Sequence, residues 1–513
     1  MLELGPFKRR PYKHQLNALK LSAEAEAFGL LFEQRCGKSQ VVLDTAAHAR
    51  RAGRIDALLI IAPNGVHRAW VTDEIPACLP DDVDARCLIW RSDRARSAAF
   101  THDLEAWFAH PGLKVLAVNI DAILTPTCQA VLARLLKLRV MTAVDESSDI
   151  SHSTAKRTKI ALKIGRRSVI RRILDGTPVA SGPLGLYSQF EFLRPGALGF
   201  TSFYAFKARY AVLVKRTLAN GTTFDEIRGY RNLDELQARM RALSYRVTRA
   251  DCHDLPPKVY ERRYVTLAPA QRRAYDELRR HAVTELAGQV LTAPLVLTRY
   301  LRLQQLSSNI VPASEEGEPC PACDPLAPDD GCQLCRGYGL VAPSSRVAEV
   351  RRIVPPEEDP RLLELERVVD GLAGQQGIVW ARFRPDLEAI ASWAERRKVA
   401  FVRYDGSTDA ETREAGKAAF MRGEARLFLG NARAGGRGLD LSAATYVVYF
   451  SHDWSLRTRL QSEDRAQSLK RRDAVLYVDL VAEDTVDEKI VAALRAGKQL
   501  SDLITGDKPE EWL

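Results

Sequence analysis

Residues 31–39, Leu-Phe-Glu-Gln-Arg-Cys-Gly-Lys-Ser, carry side chains of the types that can hold a phosphate chain. Gly37-Lys38-Ser39 follows the apolar run Phe28 to Phe32 and precedes the helical pattern Val41, Val42, Thr45, Ala46, Ala49. In that strand–loop–helix setting, backbone N–H groups at the helix start cradle the phosphates. Lys38 then reaches the β and γ oxygens, and the Ser39 hydroxyl ligates Mg²⁺. About a hundred residues on, the apolar lead-in Leu138 to Val144 delivers Asp145-Glu146-Ser147. There Asp145 would hold Mg²⁺ and Glu146 would polarise the attacking water. Neither signal suffices alone: Gly-Lys-Ser recurs by coincidence, and Asp-Glu commonly opens a solvated helix. Together, each behind a strand and in this order, they point to a nucleoside triphosphatase.

The second half of the chain supplies complementary groups. Asn431-Ala432-Arg433-Ala434-Gly435-Gly436-Arg437-Gly438-Leu439-Asp440 follows the strand-like Leu427–Gly430. Its glycines, Gly438 among them, let backbone approach a nucleotide or a nucleic-acid backbone, and Asp440 can accept from a ribose hydroxyl. Gln461-Ser462-Glu463-Asp464-Arg465 comes next. Arg465 is the candidate guanidinium that neutralises the γ-phosphate when the two lobes close, an effect worth about 10³–10⁵ in rate. The alternative makes it one more surface Arg on a basic helix.

Cys320-x-x-Cys323 and Cys332-x-x-Cys335 place four of the nine cysteines within sixteen residues. Two such knuckles fit tetrahedral thiolate coordination of Zn²⁺ in a closed structural site, with Gly331, Gly337 and Gly339 allowing tight turns around the sulfurs. An iron–sulfur cluster and a redox pair are the alternatives. Cys36, Cys78, Cys87, Cys128 and Cys252 are expected to be ordinary buried or half-buried thiols.

Positioning these groups requires two α/β halves. Apolar runs at 57–62, 114–119, 138–144 and 169–175 alternate with helical patterns, the rhythm of a parallel sheet. Residues 182–250 form an aromatic-rich segment that is expected to be a helical insertion, broken by Asp254-Leu255-Pro256-Pro257. Gln271 to Gln305 follows as helices, then a loop-like stretch rich in Pro, Gly and Cys. A second rhythm has strands at 377–380, 400–404, 427–430, 446–450 and 474–480. The fold class is therefore α/β, with two parallel-sheet lobes and a helical, four-Cys zinc-bearing middle. The expected divisions are 1–250, 251–345 (zinc insertion about 312–345) and 346–513.

Composition fits this frame. Hydrophobic content of 46% and charged content of 27% are ordinary for a globular protein. No apolar run reaches the roughly 18 residues of a membrane span, and the charged N-terminus lacks a signal-peptide core, so no membrane partner and a cytoplasmic location are expected. The net charge of +10 suits a polyanionic partner. Lys8-Arg9-Arg10, Arg166-Arg167, Arg171-Arg172 and Lys470-Arg471-Arg472 are candidate phosphate contacts, each with a solvated-face alternative. Trp380 and Trp454 are better read as buried lobe residues than as stacking wedges.

From Pro11 to about Asp507 these motifs, in their order, resemble superfamily 2 helicases of the Swi/Snf-type translocase branch, in its compact phage and bacterial form. In that resemblance Lys13-His14-Gln15 is similar to the adenine-reading motif, with Gln15 on the base. Leu59 to Asn64 resembles the lead-in to a DNA-backbone contact, and Asp175-Gly176-Thr177-Pro178 the motif that couples hydrolysis to lobe movement. Arg302 to Asn309 resembles the helix that enters the second lobe, and Gln461 to Arg465 the last motif. The resemblance implies two RecA-like lobes and an ATP- and Mg²⁺-dependent motor on duplex or branched DNA, in a bacterial or phage-infected cell, alongside replication or recombination proteins. A strand-separating helicase on DNA or RNA is one alternative, and a degenerate ATP-binding zinc scaffold another. Three departures stand out: Ser148 in the Asp-Glu-x-His box, Arg35 and Cys36 in the phosphate loop, and Ser468 where the family carries a second Arg.

Overall fold

The computed structural model describes residues 4–176, 178–179, 182–217, 223–248, 251–252, 257–286, 293–311, 318–319, 340–341, 352–405, 410–435, 439–467 and 473–497. Contacts divide the chain into two compact units. The first comprises Met1–Val259, Ala432–Thr445 and Ser455–Val475; the second comprises Tyr260–Asn431, Tyr446–Trp454 and Leu476–Leu513.

In the first unit the strands are β1 (Ala27–Phe32), β2 (Ala57–Ala62), β3 (Ala85–Ile89), β4 (Leu113–Asn119), β5 (Val140–Asp145), β6 (Ile170–Leu174), β7 (Ala211–Thr217), β8 (Thr223–Tyr230) and β9 (Ser244–Val247). Seven of them form a parallel sheet of order β3-β4-β2-β5-β6-β1-β9. Strand β2 shows why the runs are unbroken rather than alternating. Leu58, Ile60 and Ala62 enter one apolar cluster and Ala57, Leu59 and Ile61 another, so both faces are covered. Three adjacent strands, β5, β6 and β1, bring the phosphate loop, Asp145 and Asp175 to their shared C-terminal edge, where ligands of open parallel sheets sit.

Two expectations are corrected here. The 182–250 segment is not all helical: after the helices Leu186–Leu193 and Phe203–Tyr210 comes the antiparallel hairpin β7–β8, then the helix Leu233–Arg241 and the short strand β9. The apolar Val212-Leu213-Val214 run carries two β-branched valines, and that local preference prevails over the helical surroundings. Its aromatics are largely consumed by packing. Tyr187, Phe190, Phe192, Phe206 and Tyr210 are buried in one cluster, with the Phe206 and Tyr210 rings 4.8 Å apart, while Tyr204 stays exposed.

The second correction concerns Arg172. Read as a candidate phosphate contact, it is fully buried on β6 and donates to the carbonyls of Ser22, Ala25 and Arg171. Burial pushes its guanidinium down to about 9. A guanidinium's several donors let it bind more than one buried carbonyl at once, and that is how Arg172 is spent here.

In the second unit β10 (Lys258–Val265), whose first two residues belong to the first unit, precedes the tiny antiparallel pair β11 (Glu318–Pro319) and β12 (Leu340–Val341). Then come β13 (Gly377–Trp380), β14 (Phe401–Tyr404), β15 (Leu427–Gly430), β16 (Tyr446–Tyr449) and β17 (Val475–Ala482). Their sheet has the order β10-β17-β16-β13-β15-β14, with β13 to β17 paired in parallel. Arg361, fully buried, pins this unit: it pairs with buried Asp487 and donates to the carbonyls of Ser307, Phe450 and Leu480. Trp380 is buried as expected, whereas Trp454 is half-buried with the Arg382 guanidinium 3.8 Å over its ring. Cys36, Cys78, Cys128 and Cys252 are buried and Cys87 is half-buried.

Candidate functional site

The phosphate loop is shaped from the N-terminal helix Lys13–Ser22. Gln15 Nε2 donates to the Gly37 carbonyl at 3.0 Å, its Oε1 accepts from Tyr12 N at 2.8 Å, and the His14 ring lies 2.9 Å from the Cys36 carbonyl. Gly37 has φ +74°, a left-handed conformation that suits glycine, and a Cβ there would meet Gln15 Nε2 at 2.1 Å. Arg35 adopts φ +69° without that freedom. The helix Lys38–Arg51 begins directly after the loop. Lys38 is buried and its Nζ donates to the Phe32 carbonyl at 3.0 Å, an uncharged partner. Ser39 hydrogen-bonds Glu74, whose carboxyl is raised chiefly by burial.

At the end of β5, Asp145 Oδ2 accepts from the indole of Trp70 at 2.9 Å and Oδ1 from the Glu146 backbone at 3.0 Å. Burial and the neighbouring Glu146 charge raise its carboxyl, with Lys38 opposing. Glu146 takes φ +53°, which turns its side chain at the strand end. Its Oε1 accepts from Gln34 Nε2 at 2.7 Å, and its Oε2 from Arg457 Nη2 at 3.0 Å and Gln461 Nε2 at 3.1 Å. Burial alone would raise the Glu146 carboxyl; the Arg457 and Lys38 charges override it and hold it low.

The box is tied to its neighbours. The Ser148 amide donates to Asp175 Oδ2 at 2.7 Å, and Ser147 Oγ lies 2.7 Å from Gln189 Oε1. Gln189 Nε2 in turn donates to the Pro178 carbonyl at 2.9 Å. Asp175 and Pro178, on either side of Thr177, are thus linked to the strand that carries the carboxylates.

The first unit also contains the helix Leu456–Glu463, capped by Ser455 Oγ on the Thr458 amide. It places Arg457 and Gln461 on Glu146. Arg465 is buried, donating to the Leu439 carbonyl at 3.2 Å, and its basicity falls to about 10 through burial and the charge of Arg35. Asp440 accepts from Arg35 Nη2 at 3.3 Å and from the Ser442 amide at 3.2 Å.

Lys38, Asp145, Glu146 and Gln461 are therefore gathered around one carboxylate pair. Gln15 lies on the loop, and Asp440 and Arg465 meet around Arg35 and Leu439. Gly438, Thr177, Ser468, Lys470 to Arg472 and the four zinc-candidate cysteines lie outside the described residues. Among the described residues no group of three or more His, Cys, Asp and Glu is placed to hold a metal. Sequence reasoning passed over Gln34, Trp70, Asp149, Gln189 and Arg457. Only Arg457 left a signal: four residues before Gln461 behind a Ser N-cap, it had to share that residue's helix face.

Fold and site together are those of an α/β protein with a glycine-bearing loop and an acidic pair at the C-terminal edge of a parallel sheet. An SNF2-related domain matches residues 30–309, more than half of the chain, and a helicase conserved C-terminal domain matches residues 361–470. The chain belongs to the SNF2-related family. It is 24% identical over 520 residues to the Bacillus subtilis protein "Putative ATP-dependent helicase/translocase YwqA", covering 98% of this chain and 49% of that one. It is 25% identical over 389 residues to TATA-binding protein-associated factor BTAF1 of Arabidopsis thaliana, covering 68% of this chain and 18% of the relative. It is 26% identical over 208 residues to the chromatin-remodeling ATPase INO80 of Mycosarcoma maydis, covering 40% and 10% respectively. The chain thus spans about half the length of the first relative and less than a fifth of the others.

Proposed function

We propose that the chain hydrolyses ATP and uses it to move along double-stranded DNA, remodelling branched DNA or protein–DNA complexes in a bacterial or phage setting. The observation that carries this is the buried pair Asp145–Glu146, with Lys38 beside it and Glu146 held by donors on both oxygens, in a chain of the SNF2-related family. The relatives named for translocation and chromatin remodelling, the Bacillus protein that matches nearly the whole chain, and the net charge of +10 support the substrate and the setting.

The residues fit ATP with Mg²⁺. Asp145 keeps an acceptor position on each oxygen beyond its two bonds, and Ser39 stands one residue past Lys38, so these two would hold the ion. Bound there, Mg²⁺ would neutralise phosphate charge. Lys38 would exchange the Phe32 carbonyl for a phosphate oxygen, Glu146 would orient the attacking water, and Gln15 would keep the loop in shape. Arg465 would lend its charge to the transferring phosphoryl group. Phosphate contacts make binding nearly blind to sequence and strongly salt-dependent.

Two finer elements complete the proposal. Cys320, Cys323, Cys332 and Cys335 hold one structural Zn²⁺, supported by the β11–β12 pairing on either side of them. Movement proceeds along duplex rather than by strand separation. The test is ATP turnover without nucleic acid and with single-stranded, duplex and forked DNA and RNA, beside Lys38→Ala, Glu146→Gln and Arg465→Ala. Duplex stimulation, ATP-dependent triplex displacement and inactive Lys38→Ala and Glu146→Gln are expected. Arg465→Ala should bind nucleotide and lose most turnover. Stimulation by single strands or RNA alone, with unwinding of a tailed duplex, would replace translocation by strand separation; absent hydrolysis would leave a scaffold.

A further inference from the structure

Glu146 has one way left to accept a proton donor, and the geometry points to Arg457 as the positioning residue that sets its direction. This inference rests on the hydrolysis reading above. A carboxylate offers about four acceptor positions, two on each oxygen. On Glu146, Arg457 and Gln461 take both positions of Oε2, and Gln34 takes one of Oε1. The single position left, on Oε1, is where a water would be held for attack.

Arg457 is fixed at two points. Its Nη2 reaches Glu146 and its Nη1 reaches Asp149 Oδ1 at 3.1 Å. A planar guanidinium bound through two nitrogens to two carboxylates cannot turn about either contact, so it defines the carboxylate plane of Glu146 and the direction of Oε1. All three side chains are largely withdrawn from solvent: 15% of Arg457, 8% of Glu146 and 9% of Asp149 is exposed. Their mutual attraction is therefore weakly screened.

The scaffold behind Arg457 is itself held. Ser455 caps the start of its helix. At the other end Lys258 pairs with Glu463 at 2.8 Å and Asp464 at 3.1 Å, while Arg459 pairs with Glu463 at 2.8 Å. The motif residue Gln461 shares the helix face and the same carboxylate oxygen. Gln461 alone leaves Oε2 with one neutral donor and no anchor to Asp149; Arg457 adds the charge and the second point of attachment.

The test separates kcat from KM in Arg457→Gln, Arg457→Lys and Asp149→Asn, with Glu146→Gln and the unaltered protein in the same series. Arg457→Gln should lower kcat by roughly tenfold to a hundredfold, part of the 10²–10⁴ that a positioned base contributes. Its KM for ATP and its affinity for a fluorescent ATP analogue should stay within about twofold, the sign of an interaction used in the transition state rather than in binding. Arg457→Lys should recover part of the loss, since an ammonium reaches one carboxylate but cannot bridge two. Asp149→Asn, which leaves the Glu146 contact in place, should lose less in the same direction, and thermal melting should show all three folded. Wild-type kcat in Arg457→Gln, a loss confined to KM, or a rise in DNA-free turnover that would make the pair a brake, overturns the inference alone. No hydrolysis by the unaltered protein brings down the hydrolysis reading and this one with it; full hydrolysis by Glu146→Gln removes the role given to Glu146 and overturns this inference while hydrolysis itself stands.

Discussion

Gln15 and Gly37 are interlocked: the Gln15 amide donates to the Gly37 carbonyl at 3.0 Å and occupies the space that any Cβ at position 37 would need. The sequence resemblance assigns Gln15 to the adenine; in this structure its amide is spent on the loop that would hold the phosphates. Reading a base and shaping a loop are compatible tasks for a residue at the start of a helix, but only the second is visible in these contacts.

Gly37→Ala is expected to lose ATP affinity by about tenfold or more, because a left-handed alanine costs on the order of 1–2 kcal/mol and the new methyl displaces Gln15. Gln15→Ala should be milder. The double variant should recover part of the Gly37→Ala loss, since it removes the clash while keeping the strain, a coupling that a double-mutant cycle isolates. Equal impairment of the single and double variants, in nucleotide titration, would show that backbone strain acts alone.

What the sequence made legible follows physical range. Lys38, Asp145 and Glu146 are legible because local strand–loop–helix patterns fix where they stand, and the covering of both faces of β2 is legible in its unbroken apolar run. Strand β3, half-buried at the sheet edge, and the β7–β8 hairpin leave no comparable period and were passed over. Gln34 and Trp70 reach the carboxylates, and Gln189 reaches Ser147 beside them, through long-range contacts that no spacing encodes: Trp70 lies 75 residues from Asp145. Arg172 misled because a basic pair looks alike whether it faces solvent or donates to buried carbonyls.

Asp386 gives the second unit a pH-dependent weakness. It is fully buried; Oδ2 accepts from Ser451 Oγ at 2.6 Å and Oδ1 has no donor among the described residues. Burial pushes its carboxyl up to about 7, against roughly 3.9 in an unfolded chain. Between those values the folded protein keeps a proton that the unfolded chain has released, so stability falls as pH rises through about 4 to 7 and then levels. Asp386→Asn retains an acceptor for Ser451 and removes that dependence. Urea unfolding at pH 5, 6, 7 and 8 should show the variant gaining on the wild type across this window, by on the order of a few kcal/mol at pH 8. Parallel pH profiles would mean that Asp386 is ionised at no cost.

The proposed zinc site makes the last prediction. Glu318 pairs with Val341 and Pro319 with Leu340 in antiparallel register, so the ends of the segment that holds Cys320, Cys323, Cys332 and Cys335 are brought together. A two-residue ladder is far too short to be stable by itself. Thiolate coordination at roughly 10–16 kcal/mol would be ample to close such a polar segment. Protein purified without added metal should therefore contain about one zinc per chain, as four-thiolate structural sites do. Cys323→Ser or Cys332→Ser should lose the metal and open residues 312–360 to protease while leaving Lys38-dependent nucleotide binding intact. An iron–sulfur absorption band, or full zinc occupancy when both cysteines are replaced, would overturn the assignment.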